Sequence, residues 1–280
     1  AMARKTAKES IIGNIVFYRE QFKDSLYNRR FIEENMQAAI TQRQYLMYLQ
    51  PKYSIEKNEI TGAEALVRWR HPERGMIYPD QFIPILEENG FIRKVDYYIW
   101  EEACRFIRRC SDEGLPACPI SVNVSRAHLQ DDKCIRVLHD MIERNGISRQ
   151  LLELEITETV DNEQVSRKAY QLKEEGYRLL MDDFGSGYSS LNILLETPFD
   201  LIKLDKKFME NMMLSDKGRL ILEQVVAMAN KLGLELLAEG VETKEQVELL
   251  RSIGCDQVQG YYYAKPMPAE EFYTLLKEQN

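Results

Sequence analysis

Short apolar runs in the sequence end or pass, one after another, in side chains that carry oxygen or an amine. They are Glu64 in AEALV, Asn123 in SVNVS, Glu155 and Glu158 in LELEITE, Asp182 and Asp183 in LLMDD, Lys203 in IKLD, Glu239 in LLAEG and Gln259 in QVQG. Taken singly, each acid reads as a solvated residue that opens a loop and caps the next helix. Six oxygen ligands on five strands (Glu64, Asn123, Glu155, Asp182, Asp183 and Glu239) are poorly explained that way. Two carboxylates about 4 Å apart repel by roughly 4 kcal/mol at an effective dielectric of 20, so such a cluster needs cations. With no Cys or His in the set, the donors select hard ions, Mg²⁺ or Mn²⁺, over zinc. The vicinal pair Asp182–Asp183 lets one carboxylate bridge two ions while the other serves only one, the arrangement of two-metal phosphoryl-transfer sites.

Three further features bear on chemistry. Lys203 sits within a strand-like run, where a lysine demands a partner; pairing with Asp205 and a catalytic role both answer that demand. Arg68 offers a fork of donors suited to a phosphate, and equally to a surface ion pair. Directly after the aspartates, FGSGYSS carries Gly185 and Gly187, which permit positive-φ geometry and a mobile loop over a site.

The elements that must position these groups follow a βα rhythm. Eight candidate strands occur: Met47–Tyr53, Ala63–Trp69, Ile120–Val124, Leu151–Ile156, Arg178–Met181, Leu201–Leu204, Leu234–Ala238 and Asp256–Gln259. Between them, Leu222, Val225, Val226, Ala229 and Leu232 mark one buried helix face that ends at Gly233. Val165, Ala169 and Leu172 mark another, closed by Gly176, and Thr243 with Gln246 forms a capping box ahead of buried Val247 and Leu250. This pattern predicts an α/β fold, an irregular TIM-like (β/α)8 barrel, rather than a doubly wound sheet, because no GxGxxG turn is present. The polar link between the first two strands is too short for a crossover helix, so the first strand is expected to be antiparallel. Residues 1–40 fall outside the repeat: NIVFY at 14–18 is strand-like, and a charged helical stretch follows through Ile32, Met36 and Ile40.

The 280 residues carry 37 Lys+Arg against 45 Asp+Glu, a formal charge of −8, which disfavours a uniformly basic phosphate-backbone-binding surface and hence DNA or RNA duplex partners. With 44% hydrophobic and 29% charged residues the composition is that of a globular domain. Charged residues interrupt every apolar run before membrane-spanning length. Five cysteines, Cys104, Cys110, Cys118, Cys134 and Cys255, form no CxxC pair and are odd in number, as reduced cytoplasmic thiols would be. His71, His128 and His139 show no metal-binding spacing.

The ordered motifs EALVRW (64–69), HPERGMIYP, SVNVS, ELEITET, MDDFGSGYSSL, IKLDKKF, AEGVET and QGYYYAKPMP resemble the EAL family of cyclic-di-GMP phosphodiesterases over about residues 36–280. The resemblance implies metal-dependent hydrolysis of cyclic-di-GMP to linear 5′-pGpG in bacterial second-messenger signalling, with two Mg²⁺ or Mn²⁺ ions. Carried over, one metal would use Glu64, Asn123, Glu155 and Asp182, and the other Asp182 as bridge with Asp183 and Glu239. Lys203 matches the lysine that contacts the attacking water, Glu158 the anchor of the 184–190 loop, and Gln50, Arg68 and Gln259 positions that contact the dinucleotide. Ser186, Leu49 and Leu86 depart from common family residues without removing a ligand, which argues against a module that only binds the nucleotide. A metal-dependent barrel lyase with a strand lysine as base explains the acids but not Asp182–Asp183 beside a Gly-rich loop. The family also implies a homodimer, to which 187–199 could contribute. SIIGNIVFYRE at 10–20 resembles the end of a GGDEF-type domain. The expected organisation is therefore residues 1–25 as an upstream domain's tail, 26–40 as a linker helix and 41–280 as the EAL domain. No membrane contact is expected of this segment, although upstream regions could anchor a full-length protein.

Overall fold

The computed structural model describes residues 20–131, 133–157, 163–186 and 190–279. Helix α1 (Glu20–Thr41) leads into strand β1 (Tyr45–Ser54) and, after a four-residue link, β2 (Glu59–His71). A link that short cannot hold a crossover helix, and β1 is antiparallel to β2 through Tyr45–Ser54, with Gln50 opposite Glu64 and Lys52 opposite Gly62. Asn58 turns the link with a φ of 54°, a conformation that asparagine tolerates better than most residues.

From β2 onward the chain alternates. A short β3 (Gly75–Ile77) extends the β2 hairpin; then come α2 (Pro79–Glu88), α3 (Ile92–Asp112), β4 (Ile120–Asn123), α4 (Arg126–Leu129), α5 (Cys134–Asn145), β5 (Leu152–Thr157) and α6 (Glu163–Glu174). The second half runs β6 (Leu179–Phe184), α7 (Ser190–Glu196), β7 (Leu201–Leu204), α8 (Lys206–Met213), α9 (Asp216–Leu232), β8 (Glu235–Ala238), α10 (Lys244–Ser252), β9 (Gln257–Val258), β10 (Met267–Pro268) and α11 (Ala269–Glu278). Strands β2, β4, β5, β6, β7, β8 and β9 pair in parallel in that order, and β1 closes the ring antiparallel to both β2 and β9. The eight expected strands are those of the barrel; β3 and β10 are additions on its rim, too short to show an alternating pattern.

Outward-facing strand residues and inward-facing helix residues form the main apolar core, from Trp69 and Trp100 to Ala169, Leu172, Val247 and Leu250. Inside the barrel a separate apolar group, Leu180, Leu201 and Leu237, fills the β6–β8 side. The capping box at Thr243 and Gln246 and the left-handed Gly233 stop are present as expected. Leu232 is a correction: it is 61% exposed. Ten residues at about 100° each place it some 80° off the direction of Leu222, beyond the edge of the buried stripe. Val225, about 60° off, is half-buried for the same reason.

The expected linker is part of a longer helix that packs on the barrel. Ile32 and Ala39 of α1 are fully buried, Phe31 stacks on Trp69, and Arg29 pairs with Glu88 of α2 at 2.6 Å. Residues 1–19, including the 14–18 stretch, lie outside the described residues. No helix among those described is long and apolar enough to cross a membrane. All five cysteines are free and buried.

Candidate active site

The carboxyl-terminal ends of the parallel strands converge on one ammonium. Lys203 of β7 is 1% exposed, and its Nζ lies 2.7 Å from Glu239 Oε1, 2.8 Å from Glu155 Oε2, 3.0 Å from Asp182 Oδ1 and 3.3 Å from Glu64 Oε2. Four of the six expected ligands, from β2, β5, β6 and the end of β8, therefore share one centre. Asn123 joins through Glu64, its Nδ2 lying 3.5 Å from Glu64 Oε1. Gln259 donates to Glu64 Oε2 at 2.6 Å and to Gln50 Oε1 at 3.1 Å, which places both expected nucleotide-contacting glutamines on the rim of the acids. Asp205 does not pair with Lys203; its carboxylate caps α8 by accepting from Phe208 N at 3.0 Å.

Asp182 reaches Lys203 while Asp183 faces the cavity beside it, although adjacent residues of a regular strand would point to opposite faces; β6 is irregular between Met181 and Phe184, where the register against β7 shifts. Such a bulge re-aims side chains beside a site. Asp183 sits at φ 58°, a left-handed conformation that Asp adopts more readily than most residues. It faces a cavity of about 690 Å³ lined also by Arg68, Pro79, Asp96, Trp100 and Asn123. Gly185 follows at φ 92°, and a Cβ there would lie 2.4 Å from the Phe208 ring. The backbone freedom expected of Gly185 is therefore used, whereas Gly187 and Glu158 lie outside the described residues. Arg68 is half-buried, and its guanidinium lies 5.6 Å from the centre of the Tyr48 ring.

The electrostatics follow from burial among like charges. Burial pushes the Glu64 carboxyl up, and the charge on Glu155 adds to this. Glu239 is pushed up to about 8 by burial, with Asp182 and Glu64 assisting against Lys203. Asp183 is pushed up to about 6 by burial and by Asp182. Glu155 is the exception: burial works to raise it, but Lys203 and Lys52 on its two sides hold it below the ordinary value. Burial opposes the charge on Lys203, yet its four acids outweigh that and hold it well above the usual lysine range.

Sequence reasoning missed Lys52. It is 2% exposed on β1 and reaches across the barrel interior to Glu153 Oε2 at 3.1 Å and Glu155 Oε1 at 3.7 Å. Glu153 is also held by Arg178 at 3.2 Å, and Arg178 by Glu235 at 2.9 Å. The signal was present: Lys52 follows Gln50 by two residues and therefore points to the same side of the strand. A second missed pair is Asp96, which lines the cavity, and the fully buried His128, 3.0 Å from it.

These residues fit hard cations by their donor chemistry. The converging acids present only oxygen, and both Glu155 Oε1 and Gln259 Oε1 are buried without a hydrogen-bond donor. Among the described residues no group of three acids, histidines or cysteines is spaced to hold a metal ion as it stands, and the point on which the four acids converge is taken by Lys203 Nζ.

Comparison with known proteins places this architecture. Cyclic di-GMP phosphodiesterase NbdA of Pseudomonas aeruginosa is 35% identical over 95% of the chain and 34% of NbdA. The solved PaMucR phosphodiesterase in complex with c-di-GMP is 33% identical with a TM-score of 0.81, covering 86% of this chain and 99% of that one. An EAL domain protein from Listeria monocytogenes is 30% identical with a TM-score of 0.77, covering 88% and 98%. The chain spans about a third of the length of the first curated relatives it matches, at 33%, 35% and 34%. The EAL domain model matches residues 33–266, most of the chain and every converging acid, and the chain belongs to the EAL domain family.

Proposed function

We propose that the chain hydrolyses one 3′–5′ phosphodiester of cyclic-di-GMP to give linear 5′-pGpG, with two Mg²⁺ or Mn²⁺ ions. The observation that carries this reading is the convergence of Glu64, Glu155, Asp182 and Glu239 on one point within 3.3 Å of Lys203 Nζ, beside a cavity shared by Arg68, Asn123 and Asp183. Glu64, Asn123, Glu155 and Asp182 would hold one ion, and Asp182, Asp183 and Glu239 the other. Such ions supply charge stabilisation at the phosphate and an activated water nucleophile.

The chain's own groups do the rest. Arg68 offers its guanidinium to a non-bridging phosphate oxygen. Gln50 and Gln259 orient the dinucleotide at the rim while Gln259 fixes Glu64. Lys203 directs its protons at the reacting oxygen, and Glu158 anchors the loop that follows Phe184.

Incubation with cyclic-di-GMP and Mg²⁺, followed by chromatography, tests the reading: pGpG is expected. Ligand retained intact would identify a binding module, and no interaction would refute the assignment. Glu64→Ala or Asn123→Ala should abolish turnover by losing a metal. We also read residues 1–25 as the tail of an upstream GGDEF-type domain, 26–40 as a linker helix and 41–280 as the EAL domain, acting in the cytoplasm. Leu191 and Leu195 of α7, 58% and 83% exposed, favour a homodimer through this helix, which light scattering of Leu195→Glu would test.

A further inference from the structure

Lys203 sets one ammonium against four carboxylates, all within 3.3 Å of Nζ. An ammonium has three protons and a single charge, so it neither satisfies nor neutralises that group. The four oxygens it touches belong to the acids that the metal-dependent reading assigns to the two ions. Divalent ions and the ammonium therefore compete for the same four oxygens, and their mutual repulsion in a buried site opposes the ammonium staying in direct contact with those oxygens once the ions are there.

Lys52, the other lysine inside the barrel, is built differently. Lys52 Nζ lies 3.1 Å from Glu153 Oε2, on the floor of the barrel, and touches the acid cluster only at Glu155 Oε1, at 3.7 Å. Glu153 is shared with Arg178, so the floor carries its own balanced charges. Lys52 can stay where it is whatever occupies the mouth. Lys203 cannot.

We propose that Lys203 is the protein's own place-holding cation. It draws the four acids together when no divalent ion is bound, and metal binding is an exchange in which the ammonium withdraws from between the carboxylates as the ions enter. This rests on the metal-dependent reading of the site. It has two consequences: the metal-free domain folds with its acids already gathered, and each ion must displace an ammonium, which weakens metal affinity below what the acids alone would give.

The test uses the purified chain without nucleotide, as wild type, Lys203→Met, Lys203→Gln and Lys52→Met, with thermal melting in chelator and in Mn²⁺ and calorimetric titration with Mn²⁺. The expected result is that Lys203→Met melts well below wild type in chelator, is restored by Mn²⁺, and binds Mn²⁺ about tenfold more tightly or better. Lys203→Gln, which keeps an amide donor and so tolerates the acids better, shows the same direction of both effects. Lys52→Met lowers the melting temperature by a similar amount with and without Mn²⁺. Folded Lys203→Met and Lys203→Gln that bind Mn²⁺ no more tightly than wild type would overturn the exchange while leaving the metal reading intact. A wild type that shows neither heat nor a melting shift with Mn²⁺ or Mg²⁺ overturns the metal reading, and the exchange with it.

Discussion

Replacing Lys52 with Met tests whether the barrel floor is an ionic structure or merely tolerates a lysine. The side chain is 2% exposed, and its ammonium is 3.1 Å from Glu153 Oε2, where a pair attracts by about 5 kcal/mol at an effective dielectric of 20. Met fills nearly the same volume, so a cavity contributes little and the effect is that of stranding a buried carboxylate. Removing one partner of a buried pair costs about 3–5 kcal/mol, and Arg178, still 3.2 Å from Glu153, keeps the loss at the lower end. For a domain of this size about 3 kcal/mol lowers the melting temperature by roughly 5 °C. Urea denaturation of the chain in chelator reads it directly as a shift in midpoint at constant slope. Lys52→Met/Glu153→Leu removes both charges and should recover at least about 1 kcal/mol, because two apolar groups in place of a buried pair are nearly neutral. A single variant that loses less than about 1 kcal/mol, or a double variant no better than the single, would refute the reasoning.

Three further outcomes follow from the geometry. Gly185→Ala forces a Cβ to 2.4 Å from the Phe208 ring at a φ of 92°, so melting should drop by several degrees and turnover should fall with the displaced loop; adding Phe208→Ala should relieve only the clash. Gln259→Leu removes the 2.6 Å donor to Glu64 and should weaken Mn²⁺ binding about tenfold in calorimetry, with unchanged affinity counting against a positioning role. All five thiols are buried, and burial pushes them up, Cys110 to about 11 and the other four to about 12. A thiol-specific chromogenic disulfide should therefore find no rapidly reacting cysteine in the native chain at pH 8, and five after denaturation.

Much of the fold was legible because barrel strands are short apolar runs with strong punctuation. Leu201–Leu204 is found at its expected bounds, and the antiparallel first strand follows from the length of one loop. Most of the converging acids were legible because they stand at or near the end of their runs, where a parallel barrel gathers residues from many strands, whereas Glu64 lies within its run. Two kinds of information were not there to read. That Asp182 and Asp183 both serve the mouth of the barrel, where a regular strand would send them to opposite faces, depends on a register shift in β6, a property of the β6–β7 pairing that adjacent residues do not reveal. The partners of Lys203, left open between Asp205 and a catalytic role, were not legible for a related reason. Asp205 is near in sequence, but on a strand a residue two positions on lies further along the axis, while the neighbours around the barrel supply acids at one height.

The same geometry explains why the floor has its charges where it does. On the parallel strand β5, moving two residues back from the mouth carries the chain from Glu155 down to Glu153. On the reversed strand β1, moving two residues forward makes the same descent, from Gln50 opposite Glu64 to Lys52 opposite Gly62. A forward step on β1 therefore meets a backward step on β5, and Lys52 reaches Glu153 rather than the mouth. Were β1 parallel, the lysine two residues after the rim glutamine would point toward the substrate side and add a second fixed ammonium to the acids that Lys203 already serves. The reversal thus does more than close the barrel. It lets one strand deliver a neutral amide to the rim, where Gln50 accepts from Gln259, and a permanent cation to the floor, where its charge is matched. Because the floor is balanced by Lys52 and Arg178, the exchangeable charge at the mouth is left to Lys203 alone.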